Sequence, residues 1–124
     1  MHNADNMGIT KVTLKVKNPS DPKKVIQEDF LVDSGAAYTV IPKKYVGQLG
    51  LKPSFEREFM LADGRTVTRQ IGNAIIEFQG QEVASPVVLG KRDDSLLLGV
   101  LTLEGLGLVL DPFSRKLYSA KLML

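Results

Sequence analysis

Cysteine and tryptophan are absent from the 124 residues, and the only histidine is His2. Without cysteine there is no disulfide, no thiol nucleophile and no thiolate metal site. That composition suits a reducing compartment, and a cytoplasmic location is the expectation. A lone histidine in a polar terminal stretch leaves no histidine cluster for zinc and leaves a Ser-His-Asp arrangement without a placed base. Charge of one sign is also lacking: 16 Lys and Arg against 14 Asp and Glu give a net charge of +2, too small to argue for nucleic acid. The pairs Lys23-Lys24, Lys43-Lys44 and Lys91-Arg92 are dispersed along the chain and read as solvated surface. Long apolar runs are missing too. The most apolar stretch, Leu96 to Leu110, is broken by Glu104 and falls short of the about 20 residues of a spanning helix, so no membrane segment is expected. Residues 1–9 have no apolar signal-peptide core and read as a loose terminal segment, with Met7 an alternative start. The acid-base groups that remain are carboxylates.

What is present is a chain of ordinary globular balance, 44% hydrophobic and 24% charged, expected to form a single domain over residues 10–124. Thr10 to Lys17 alternates, with Val12, Leu14 and Val16 on one face and lysines and Thr13 on the other, the pattern of a half-buried strand. Asn18 to Pro22 reads as a turn, and Val25 to Val32 as the returning strand. Pro42 at a first helical position and Gly50 just past the end bracket a short helical turn over 43–49. Strands are expected at Phe55–Leu61 and Thr66–Ile71, with Asp63-Gly64 as the hairpin turn between them. Further strands are expected at Asn73–Phe78 and Glu82–Leu89, the latter with Pro86 marking an edge or irregularity. Gly90 to Ser95 is a polar loop, and Asp93-Asp94 reads as turn chemistry, because no spaced oxygen ligands accompany it. Leu96-Leu97-Leu98 runs into Gly99, then a short helix over 100–104, a strand over 107–110, and a last strand over 116–124. Each half of the chain thus reads strand, hairpin, apolar run into Gly, helical turn, Leu-Gly-Leu, a weak internal repeat. The fold class is all-β, with frequent Gly and Pro punctuation.

Phe30-Leu31-Val32-Asp33-Ser34-Gly35-Ala36-Ala37 is the stretch that carries chemistry. An apolar run delivers Asp33 to a tight turn that Gly35 permits, and a second apolar run ends at Pro42. A carboxylate carried between two apolar arms is costly unless hydrogen-bonded, paired or used. An Asx-type turn is the plain alternative.

This loop resembles the active-site loop of aspartic proteases. With one such loop in a chain of this length, the sequence is similar to the retropepsin-like branch across roughly 10–124. The resemblance implies a small closed β-barrel of two duplicated halves and a homodimer in which each chain supplies one catalytic Asp33, supported by Ser34 and Gly35. It implies an aspartic endopeptidase acting on peptide bonds, with no metal and no cofactor. Ala36 and Ala37 would line the substrate cleft, and Leu61, Ala62, Asp63, Gly64 and Arg65 would belong to a flap over it, Asp63 serving its turn. Leu96 to Gly99 matches the family's second-half motif, and the chain ends would help build the dimer. The sequence departs from the retroviral pattern at Ala37 and Val100, where an acidic residue and an arginine often form an ion pair. Loss of both partners together is physically coherent, since one alone would be stranded. A catalytically idle retropepsin fold serving as a dimerisation or peptide-binding module, or an unrelated β-barrel, are the other readings.

Overall fold

The structure, a computed structural model, describes residues 10–124; the terminal segment 1–9, with His2 and Met7, lies outside the described residues. Among the described residues nine strands and two short helices follow in chain order: β1 (Lys11–Asn18), β2 (Asp21–Val32), β3 (Thr39–Ile41), α1 (Lys43–Leu49), β4 (Phe55–Met60), β5 (Thr66–Phe78), β6 (Gln81–Leu89), β7 (Leu97–Leu98), α2 (Val100–Gly105), β8 (Leu108–Leu110) and β9 (Leu117–Ser119). The alternation of β1 buries Leu14 and Val16 and leaves its lysines outward. Seven strands form one sheet in the order β1-β2-β7-β3-β6-β5-β4, and β5 also pairs with β1. The sheet therefore closes into a ring of six strands, with β4 outside it. The all-β class and the closed ring agree with expectation.

The internal repeat is visible in the pairing. If β1, β2, β3 and α1 are matched to β5, β6, β7 and α2, the β1–β2 hairpin maps onto β5–β6, and the parallel pair β2–β7 onto the parallel pair β6–β3. The Leu-Gly-Leu after each helix places its glycine in the left-handed region, Gly50 at φ 66° and Gly107 at φ 69°, where a side chain is strained. Phe30, Ile41, Ile76, Val87 and Leu98 from both halves meet in one core, which is mainly aliphatic because aromatics are scarce.

Four expectations are corrected. The strands expected at 66–71 and 73–78 are one continuous strand, β5. One edge of β5 pairs with β4 up to Ile71 and then with β1 at Ile75–Glu77. Gly72 sits at the handover because the Lys52 carbonyl lies 2.8 Å from where a Cβ would stand; the residue that looks like a break is a close approach. Pro42 caps α1 with extended backbone, φ −61° and ψ 156°, because it also ends β3. The returning strand starts at Asp21, not Val25, since the hairpin turn is only Pro19-Ser20. The last strand stops at Ser119. β8 and β9 form a separate two-stranded sheet, and after the Ala120 N–H donates to the Gly107 carbonyl at 2.8 Å the partner strand has run out, because α2 comes before Gly107. Leu122, Met123 and Leu124 are left exposed. Pro86 lies just before β3 joins β6 at Val87, on a stretch of β6 that has a strand partner on one side only.

Candidate active site

Asp33 is held by its backbone before its side chain is considered. β7 runs parallel to β2, and the Asp33 N–H donates to the Leu98 carbonyl at 3.0 Å. The Ala36 N–H returns to the Asp33 carbonyl at 3.1 Å, closing a turn. Within the turn the Gly35 N–H donates to Asp33 Oδ1 at 2.9 Å, and a Cβ on Gly35 would crowd that same oxygen at 3.3 Å. The Asx geometry is thus real, but it occupies one carboxylate oxygen. Among the described residues Oδ2 has no hydrogen-bond partner. Asp33 is half-buried, and Ser34 and Gly35 are exposed.

The second half of the chain braces this loop. The Val100 and Leu101 N–H groups, at the start of α2, donate to the Ala36 and Ala37 carbonyls at 2.8 and 2.9 Å. The backbone contact is possible because residue 99 is glycine: a Cβ there would lie 2.4 Å from the Tyr38 carbonyl carbon. Backbone bonds from Val100 to Ala36 and from Leu101 to Ala37 thus join the two segments where the retroviral pattern places an ion pair. Behind them, the Gly99 N–H donates to Thr39 Oγ1 at 3.1 Å, Thr39 and Thr102 hydroxyls lie 2.6 Å apart, and Thr102 and Ser85 hydroxyls 2.8 Å apart. The Ser85 hydroxyl donates to the Pro86 carbonyl at 3.1 Å. One direction of donation, from Gly99 to Thr39 to Thr102 to Ser85 to Pro86, satisfies every hydroxyl in this buried chain.

The β4–β5 hairpin stands over the loop. Its tip is a three-residue turn, Ala62-Asp63-Gly64, with the Gly64 N–H donating to the Leu61 carbonyl at 3.0 Å and Gly64 at φ 88°; this is a type I turn with a glycine bulge. Asp63 accepts from the Arg65 N–H at 3.0 Å and from Arg65 Nε at 2.6 Å. These bonds, the backbone one foremost, hold its carboxyl below the ordinary range. Asp63 is spent on the turn.

Between loop and hairpin runs a groove of about 450 Å³. Gly35, Ala36, Ala37 and Leu61 line it; Ala62, Asp63, Gly64 and Arg65 form the hairpin tip and do not. Residues not anticipated from sequence also line it: Tyr38, Phe59, Val67, Arg69, Asp94 and Ser95 among them. Tyr38 and Phe59 meet edge to face with centroids 5.7 Å apart, tying the hairpin to the loop. Arg69 Nε lies 3.5 Å from Asp94 Oδ2, tying it to the polar loop opposite. Asp94 also accepts from the Lys91 N–H at 2.7 Å, its expected turn role. The period of two along β5 puts Val67 and Arg69 on one face, a signal present in the sequence; the approach of Asp94 has none. Among the described residues no three of His, Cys, Asp and Glu come together as a metal-ligand set, and no helix is long and apolar enough to cross a membrane.

A family model described as "gag-polyprotein putative aspartyl protease" matches residues 25–105. No curated protein sequence matches the chain. Among solved structures, the EIAV protease complexed with the inhibitor HBY-793 superposes with a TM-score of 0.58 at 18% identity, covering 100% of this chain and 99% of that one, which is a likeness of fold. The family match runs from within β2 to the end of α2, taking in the Asp33 turn, the hairpin over the groove and Gly99, and by it the chain belongs to the retropepsin-like aspartic proteases of the gag-polyprotein group.

Proposed function

We propose that this protein is an aspartic endopeptidase whose site is completed by a second copy of the chain, Asp33 being the catalytic residue of each protomer. The observation that carries this is the Asp33 turn: one carboxylate oxygen is fixed by the Gly35 N–H and the other is left without a partner among the described residues, two residues before Gly35, which with Ala36 lines the groove under the hairpin. One chain offers one such carboxylate, and two Asp33 side chains meeting at a two-fold axis would make the pair the chemistry needs.

In aspartic proteases two such carboxylates share a proton, because like charges that close do not both ionise. The ionised carboxylate takes a proton from a bound water as that water attacks the peptide carbonyl. The protonated one donates to the carbonyl oxygen. The tetrahedral species then collapses, and its nitrogen leaves protonated as the amine. The exposed Ser34 would bond across the axis through its hydroxyl. Ala36 and Ala37 keep side chains small where substrate backbone would lie, and Leu61 to Arg65 would close over it. A cytoplasmic setting is proposed with this reading, on the absence of cysteine.

The test is Asp33→Asn. Asn is nearly isosteric and keeps an acceptor for the Gly35 N–H, so fold and dimer should survive, while an amide can neither take a proton from water nor return one. Wild type is expected to cut a peptide library at acid pH and the variant to cut nothing, with equal sedimentation. Equal cleavage by both overturns the assignment. No cleavage by either, with both dimeric, replaces the enzyme with a peptide-binding module.

A further inference from the structure

Asp94 and Ser95 line one side of the cleavage groove. Asp94 and Ser95 also line a second groove of about 500 Å³ on the far side of the same loop. Lys11 from β1, Lys44 from α1 and Arg92 from the polar loop converge there. In sequence these cations look dispersed; the fold collects one member from each of two basic pairs and adds Lys11. Among the described residues none of the three forms an ion pair. Lys44 Nζ lies 5.2 Å over the Tyr45 ring, which keeps it beside the groove. Two carboxylates also line the groove, fewer than its cations: Asp29, which accepts from the Thr13 hydroxyl at 2.7 Å, and Asp94, which accepts from the Lys91 N–H and is paired with Arg69. Leu31, Pro42 and Leu96 give the groove an apolar part.

We propose that this basic groove is an exosite for an acidic stretch of the peptide substrate that leaves the cleavage groove past Ser95. The inference rests on the endopeptidase reading for the identity of its ligand. The two lining residues shared with the first groove argue for the same extended chain, and three cations outside any ion pair argue for carboxylates on it. The carboxylates of Asp29 and Asp94 within the lining, and Tyr45 as its lone aromatic, argue against a nucleic-acid backbone, which needs an unbroken basic track and a stacking platform.

The experiment reads binding in the Asp33→Asn protein, so it does not depend on cleavage. Two fluorescein-labelled peptides share one apolar hexapeptide core and carry Glu-Glu-Glu or Gln-Gln-Gln at both ends; anisotropy gives their affinities. The Glu peptide is expected to bind about tenfold more tightly at low salt, the sum of a few exposed pairs, with the advantage falling as ionic strength rises. Lys44→Glu with Arg92→Glu should abolish the difference. Lys44→Gln with Arg92→Gln should reduce it without adding negative charge, which separates loss of the site from general repulsion. Equal affinity for the two peptides, no detectable binding of the Glu peptide, or displacement of it by a thymidine oligonucleotide of equal charge overturns the inference. If wild type leaves every peptide uncut while the Glu preference holds, the endopeptidase reading fails and the acidic-peptide site stands.

Discussion

The hydroxyls of Thr39 and Thr102 lie 2.6 Å apart in the interior, one from the strand after the Asp33 turn and the other from the helix after Gly99. Both side chains are fully buried. The two halves of the chain are thus joined directly behind the candidate site by a polar contact that water cannot replace.

Thr102→Val keeps the shape of that side chain and removes its hydroxyl. Thr39 then loses its acceptor and Ser85 its donor, both in a buried place. The expected cost is about 1–3 kcal/mol, read as a lower urea midpoint with unchanged slope. Thr102→Ser keeps the relay and loses one methyl, so it should cost less. Equal loss in the two variants would mean that packing, not hydrogen bonding, holds the site.

Gly99→Ala should be far worse than its single added methyl suggests. Backbone atoms of Tyr38 and Thr39 stand 2.4–2.8 Å from the new Cβ, and backbone cannot rotate away. A loss of about 3 kcal/mol or more is expected, with peptide cleavage falling with it. Gly47→Ala is the control, because nothing lies within 4 Å of a Cβ there. Similar thermal midpoints for the two variants would contradict this account.

Lys17 on β1 reaches Glu77 on β5 at 3.0 Å and also bonds Glu82 on β6, so it clasps the seam where the ring closes. Hydrogen bonding to Glu82 and then Glu77 raises the lysine's pKa, and Lys17 in turn lowers that of Glu77. A lowered carboxyl contributes stability above its unfolded value and loses it as pH falls through the folded value. A raised ammonium contributes below its unfolded value and loses it as pH rises through the folded one. Wild type should therefore exceed Lys17→Met most between the ordinary glutamate and lysine values. The gap should close toward strong acid and strong base. Denaturant melts across pH showing a constant gap would refute the linkage.

Removal of Lys121 to Leu124 takes away three exposed apolar side chains that make no strand in the chain. If they pack in the proposed dimer, its dissociation constant should rise at least tenfold, about 1.4 kcal/mol, while the fold by circular dichroism stays the same. Sedimentation equilibrium decides it; an unchanged dimer would place the contact elsewhere.

Much of this protein is written locally. The alternation in β1, the helical turn bracketed by Pro42 and Gly50, the Asp33-Ser34-Gly35 turn and the repeat of Leu-Gly-Leu all depend on neighbours a few residues apart, and period and glycine conformation expose them in the sequence. The continuity of β5 through Gly72 was hidden, because a glycine demanded by the distant Lys52 carbonyl looks the same as one demanded by a turn. The end of β9 was hidden likewise, because residues 120–124 have strand-like composition and stop pairing only where β8 gives way to α2. Arg69 meeting Asp94 across the groove, the Thr39–Thr102 contact across 63 residues, and Lys11, Lys44 and Arg92 gathered on one side of Ser95 left no local trace. These depend on ring closure, which brings distant segments together through backbone hydrogen bonds whose register no single side chain states.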